Sequence, residues 1–321
     1  MTDQSDITTP SNASTIKGIN HVGLSVSDLQ ASVAFYTAAT TLEMEDETAF
    51  SNTTAEKASG FNNEPVARVA LKGPNGQLEL SQYESSLAGP AEEIPFQGPG
   101  VTHVCYQSPT TVDVYSKFRS LGATPVSRGT EPIDLGGYGV YYAYERDADG
   151  IMFETEHLDK PHFEGSIWLS HVALVTPDLD RLVDFYQNLL GFEPNRRSNR
   201  VSGPRFDEVV DFDAVKIRAA WFDTANMIVE LWQFTNPVTA EPGPPIPYEK
   251  IGYNKFAFEV SDIDHDYKRL VDSGVQFLSE PVQTDESTEV FARDPDGNLL
   301  SLIQPASGSP ISIDGLKKRH P

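Results

Sequence analysis

"HVGLSVSDLQASVAFY" occupies residues 21–36, and "HVALVTPDLDRLVDFY" occupies residues 171–186, 150 positions later. His21, Val22, Leu24, Asp28, Leu29, Val33, Phe35 and Tyr36 fall on His171, Val172, Leu174, Asp178, Leu179, Val183, Phe185 and Tyr186. A repeat of this period marks duplicated structural units. The opening "HVGLSV" alternates as a strand with one buried face does. Asp28 and Asp178 stand where a helix N-cap belongs, and Leu29, Val33 and Tyr36 follow at helical spacing. Gly191 is placed to stop the second helix.

Each copy is followed by a second, weaker one: "GVTHVCYQSPTTVDVYSKFRSLGA" from Gly100 and "GYNKFAFEVSDIDHDYKRLVDSGV" from Gly252. Anchored on Gly122 and Gly274, His103 lies over Lys255. Both weaker copies run into a D-x-D-G turn between alternating segments, a hairpin signal that sets Glu154 over Ser301. The stronger copies close with "NGQLELSQY" and "NMIVELWQF", which sets Glu79 over Glu230. The chain therefore reads as four units of one strand, one helix and about three more strands, near 17–84, 98–158, 166–235 and 251–304. The linkers after units one and three carry similar "IPF" and "IPY" segments. They favour a two-unit domain that was duplicated: residues 17–160 and 161–305, with polar tails at 1–16 and 306–321. The fold class expected is α+β, with curved sheets open toward a cleft.

The full length, 321 residues, suits two domains of ordinary size. No run of about 18 apolar residues is present, and the polar N-terminus has no apolar targeting core, so a cytoplasmic location is expected. One cysteine, Cys105, excludes an internal disulfide, and its alternating context suggests core packing. The net charge of −23 opposes nucleic acid and anionic membranes as partners.

The marks "HVGLSVSDL", "THVCYQS", "HVALVTPDL", "KFAFEVSDID", "RDADG…E" and "DPDGN" resemble the vicinal oxygen chelate superfamily of glyoxalases, epimerases, extradiol dioxygenases and resistance proteins. The resemblance covers about residues 17–304. It implies βαβββ modules paired into two cupped mixed sheets, with a divalent metal held by the first and last strands of two modules. With units one and two sharing a cup, it places one ion, Zn, Ni, Co, Mn or Fe(II), on His21, Glu79, His103 and Glu154. Two imidazoles and two carboxylates suit such an ion. The other half keeps His171 and Glu230 but has Lys255 and Ser301. Lysine offers no free lone pair at neutral pH, so that cup is expected to be metal-free, with Lys255 pairing Glu230 or binding an anion. If unit one instead pairs with four and two with three, the complete set becomes His103, Glu154, His171 and Glu230. His103 and Glu154 belong to the site either way.

Two glutamates in the set fit an isomerase or lyase best, an enzyme that chelates a small carbonyl substrate and moves a proton on the adjacent carbon. Glu79 or Glu154 would be the base. Tyr144, ten residues before Glu154, would stand on the neighbouring strand and hydrogen-bond a substrate oxygen. A ring-cleaving Fe(II) dioxygenase is the alternative, since "Y-x-x-D-x-x-G-x-x-x-E" echoes its signature. Against it, Leu135 stands where that signature has histidine and Ala148 where it has proline. A third reading is a binding protein whose pocket Trp221, Phe222 and Trp232 line. Arg68 could meet an anionic substrate, though a solvated strand arginine is the simpler expectation. A monomer or a homodimer would serve any of these.

Overall fold

The computed structural model describes residues 13–45, 54–89 and 93–319. All four units are present. Their opening strands are Ile16–Val26, Gly100–Pro109, Trp168–Val175 and Gly252–Val260, and their helices are Leu29–Ala39, Val114–Ser120, Leu179–Leu190 and Ile263–Asp272. Each helix starts at an aspartate whose side chain accepts from the backbone three residues on: Asp28 from Ala31, Asp113 from Ser116, Asp178 from Arg181, Asp262 from His265. Capping of this kind stabilises a helix by about 1 kcal/mol. Gly191 ends the third helix in the left-handed conformation, at φ 81°. Each unit closes with an antiparallel hairpin: Ala67–Lys72 with Gln77–Gln82, Val140–Arg146 with Met152–Leu158, Lys216–Asp223 with Ile228–Asn236, and Ser287–Arg293 with Leu299–Pro305.

The described residues form an eight-stranded and a nine-stranded sheet. In each, two opening strands lie side by side at the centre, and each is flanked by the closing strand of its own unit in parallel. The central pairs are not those expected. The opening strand of unit one runs antiparallel to that of unit four, with Val22 opposite Phe256. That of unit two runs antiparallel to that of unit three, with Val172 opposite Val104. The expected halves, 17–160 and 161–305, are therefore not the two cups. One cup is built from the ends of the chain and the other from its middle.

Consecutive units do touch, but back to back through their helices. Tyr36 of the first helix packs against Tyr106, Phe118 and Phe153 of unit two. Its hydroxyl donates to Asp147 in the D-x-D-G turn of that unit at 2.8 Å. Tyr186 repeats the contact, packing on Phe256 and donating to Asp294 at 3.1 Å. The paired "FY" of the opening repeat is thus a clasp between neighbours in sequence, while the sheets join units that are not. The similar linkers record the first relation and say nothing of the second.

Two further expectations change. Over 306–319 the C-terminal segment is packed rather than a free tail. Ile311 and Ile313 are buried, the Glu259 carboxylate accepts from the Ile313 backbone, and the backbone N–H groups of Lys317 and Arg319 donate to Pro74 and Ala225. Two apolar residues in "SPISID" meeting a buried carboxylate are enough to fix it. Of the expected N-terminal tail, residues 1–12 lie outside the described residues. No helix among the described residues is long and apolar enough to cross a membrane.

The clasp has a measurable consequence. Removing the Tyr36 hydroxyl leaves a buried carboxylate short of one donor, which costs about 2 kcal/mol. Urea denaturation of Tyr36→Phe is expected to show that loss with an unchanged m-value. A stability within about 0.5 kcal/mol of the parent would show the turn is held by its backbone bonds alone.

Candidate metal centre

Strand alternation sends every second side chain of the nine-stranded sheet onto its concave face. His103 comes from the opening strand of unit two and Glu154 from its closing strand; His171 and Glu230 come from the same strands of unit three. One ligand-type atom from each of the four lies within 4.8 Å of all the others, and all four residues are buried. The Nε2 atoms of His103 and His171 face each other at 3.3 Å. Glu154 Oε2 lies 2.8 Å from His171 Nε2 and 3.5 Å from His103 Nε2. Glu230 Oε2 lies 3.3 Å and 3.6 Å from the same two nitrogens. Nδ1 of His103 is 3.1 Å from the Thr102 hydroxyl, so its partner lies outside the cluster and Nε2 is left to the centre.

Burial alone would hold both imidazoles neutral. The surrounding carboxylates outweigh it, raising His103 above its ordinary value and His171 to about 9. Burial likewise favours neutral carboxyls, yet the two histidines hold Glu154 and Glu230 below the usual carboxylate range. Two imidazole nitrogens, each offering a lone pair once its proton leaves, and two carboxylate oxygens thus converge where positive charge is strongly favoured. This donor set fits a borderline divalent cation.

Tyr144 stands directly opposite Glu154 across the closing hairpin. It is buried, and burial followed by the Glu154 and Glu230 carboxylates keeps its hydroxyl protonated. Trp221 donates its indole N–H to Glu230. Phe96, from the "IPF" linker, packs edge-on to Tyr144 at 4.5 Å and lies 6.1 Å from Trp232. Phe222 points to the other side of the sheet and joins the main core, so of the three aromatics expected to line a pocket only Trp221 and Trp232 face the cluster. Cys105 is buried, but on the concave face, where its sulfur clusters with Glu154, Glu156 and His171. Arg319, which no sequence motif marks, also borders this face. Nε and Nη1 of Arg319 are buried without a hydrogen-bond partner, and its charge acts on Asp223, Glu156 and Cys105. No pattern in "LKKRHP" signals this; the packing of Ile311 and Ile313 produces it. A surface cleft of about 940 Å³, lined in part by Glu45, Lys72, Glu164 and Lys317, includes none of these residues.

His21 and Glu79, expected beside His103 and Glu154, lie in the other sheet. There the pairing of unit one with unit four sets Gly23 opposite Lys255, where the second sheet has Ala173 opposite His103. A Cβ on Gly23 would come within 2.8 Å of Lys255 Cγ, so the glycine makes room for the lysine stem. Lys255 binds Glu79 at 3.0 Å, not Glu230. Arg68 is buried, contrary to the solvated arginine expected, and lies 3.5 Å from Glu79. Burial, reinforced by Lys255, lowers the His21 imidazole to about 3. Burial opposes ionisation of Glu79, but Arg68 and Lys255 overcome it and hold the carboxyl at about 2. Fixed cations already fill this cup. His171 and Glu230, expected in a metal-free cup, are the residues that complete the other cluster, and His21 and Glu79 lie outside it.

Two cupped sheets, each made from two strand–helix–hairpin units and one carrying a His/Glu cluster on its floor, define a glyoxalase-like protein. The chain belongs to the Glyoxalase/Bleomycin resistance protein/Dioxygenase superfamily, whose sequence profile matches residues 18–155 and 168–302. It is 25% identical over 146 residues to the ethylmalonyl-CoA/methylmalonyl-CoA epimerase of Cereibacter sphaeroides, a match spanning 44% of this chain and 97% of that protein. Glyoxalase I from Zea mays superposes with a TM-score of 0.60 at 17% identity, covering 89% of this chain and 92% of that one. A putative dioxygenase from Bacillus subtilis gives 0.60 at 14% identity, covering 95% and 89%. At these identities the two structures share the fold.

The depressed His21 predicts an acid-labile contribution to stability. In the unfolded chain the imidazole titrates near 6.5; in the fold it stays neutral to about 3. The contribution is therefore complete above about pH 6.5 and is lost as the pH falls through that window. It amounts to about 2 kcal/mol between pH 7 and pH 5. Urea denaturation of His21→Asn at both pH values should show a pH-dependence smaller by that amount. An identical dependence in parent and variant would mean His21 is charged in the fold.

Proposed function

We propose that the cluster of His103, Glu154, His171 and Glu230 holds one divalent metal ion, and that the protein is an isomerase or lyase acting next to the carbonyl of a small substrate. The observation that carries this reading is the convergence of two imidazole nitrogens and two carboxylate oxygens within 4.8 Å on a buried floor. The epimerase match supports the reaction type. A ring-cleaving dioxygenase needs only two histidines and one carboxylate, with other positions open. The fourth protein ligand favours proton transfer instead.

A divalent ion bound there would supply Lewis acidity, polarising the substrate carbonyl and acidifying the neighbouring C–H. This chain's own residues do the rest. Glu154 accepts the proton from carbon and returns it, to the same or the adjacent carbon, so no redox partner is required. Glu230 is held in place by the Trp221 indole and would help hold the ion. The Tyr144 hydroxyl, opposite Glu154, donates to the oxygen on which negative charge develops. Phe96 and Trp232 keep water from the reacting carbon. The partnerless nitrogens of Arg319 suit an anionic group at the far end of the substrate.

The test is exchange of the C–H proton of α-hydroxycarbonyl and acyl-thioester compounds with deuterated water, followed by NMR on metal-loaded protein. Glu154→Gln should cut exchange by about 10²–10⁴-fold and Tyr144→Phe by about 10²-fold. Exchange equal to that of Glu154→Gln in the parent, across both compound classes, would contradict the reading. Oxygen uptake with catechols in its place would select the dioxygenase.

A further inference from the structure

The eight-stranded cup contains a second built site. Its floor carries Arg68, Lys255, His21 and Glu79, all buried. A carboxylate from outside the sheet enters it: Glu56, on the five-residue helix Thr54–Ala58. Arg68 grips this carboxylate with both arms of its fork, Nη1 to Oε2 at 3.3 Å and Nη2 to Oε1 at 3.1 Å. The Tyr248 hydroxyl donates to Oε1 at 2.7 Å, and Lys255 Nζ lies 3.5 Å from the same oxygen. Tyr248 comes from the "IPY" linker, as Phe96 comes from "IPF" over the other cup. Phe61 stacks on the Tyr248 ring at 4.8 Å and closes the side.

A planar guanidinium fork, an ammonium and a phenol around one carboxylate form a recognition geometry for that group. Charge counting agrees. Without Glu56 the floor has two cations, Arg68 and Lys255, against the Glu79 anion and the buried Glu289 carboxyl, which burial pushes up to about 7 so that it is ionised only in part, while burial and Lys255 keep His21 neutral. It is then short of negative charge. The helix that supplies it is too short to be stable alone. Outside the cup it packs on the strands Val282–Gln283 and Ser287–Arg293 at the sheet edge.

We propose that this cup is a binding site for a small molecule bearing one carboxylate, held closed by Glu56 acting as an internal ligand that such a molecule displaces. The site is separate from the His/Glu cluster, and it stands whether or not that cluster binds metal.

Sodium acetate is the probe, with sodium chloride at equal ionic strength as control. Glu56→Ala should melt several degrees below the parent, and acetate should restore the loss saturably where chloride does not. Glu56→Gln, which keeps the shape, serves if the alanine variant does not fold. Adding Arg68→Met to the working variant should abolish the acetate response. In the parent, acetate up to about 0.5 M exceeds the millimolar effective concentration of a tethered group. It should there speed hydrogen exchange at residues 55–61 while leaving the other helices unchanged. Two results overturn the proposal: no advantage of acetate over chloride in the variant, or rescue of the variant without release of 55–61 in the parent. The second would make the cluster a permanent lock.

Discussion

Everything in this chain depends on which opening strands zip together. An antiparallel pair brings residues of two units face to face at the centre of a sheet, and the closing strands then add their carboxylates from either side. Unit two with unit three sets His103 beside His171, flanked by Glu154 and Glu230. Unit one with unit four sets His21 near Lys255, flanked by Glu79 and Ser301. The same plan produces a floor of two imidazoles and two carboxylates and a floor that already contains fixed cations.

The two floors solve one electrostatic problem in different ways. Buried carboxylates are costly unless compensated. In the eight-stranded cup, compensation is covalent: the Lys255 ammonium and the Arg68 guanidinium are part of the chain, and Gly23 gives the lysine stem its space. In the nine-stranded cup no lysine or arginine touches Glu154 or Glu230 among the described ion pairs, in which their basic partners are the two imidazoles. Imidazole can pass its place at the carboxylates to a metal; an ammonium cannot. The linkers extend the parallel, with Phe96 making one mouth apolar and Tyr248 giving the other a hydroxyl donor.

The unit plan was legible because it is written in local chemistry. Asp28 and Asp178 cap helices, Gly191 stops one, and the D-x-D-G turns join hairpins, each through contacts within a few residues. The ligand-type residues were legible for the same reason: His103, His171, Glu154 and Glu230 sit at equivalent strand positions. Which units share a sheet was not legible. Sheet pairing is a long-range choice, and the similar linkers report only that consecutive units are neighbours, a relation the Tyr36 and Tyr186 clasps satisfy. Pairing neighbouring units puts His21 and Glu79 beside His103 and Glu154; pairing unit one with four and two with three gives the set the sheets bring together, with His171 and Glu230. Arg68, Glu56 and Arg319 were hidden because their roles arise from burial among distant segments.

The pairing of units two and three gives the proposed metal its place. Metal content by mass spectrometry, on protein purified without chelator and then dialysed against divalent salts, tests it most directly in the parent, His171→Ala and His21→Ala. Close to one bound ion is expected in the parent and in His21→Ala, and loss of it in His171→Ala. Loss in His21→Ala with retention in His171→Ala, or no ion in any of the three, would contradict it.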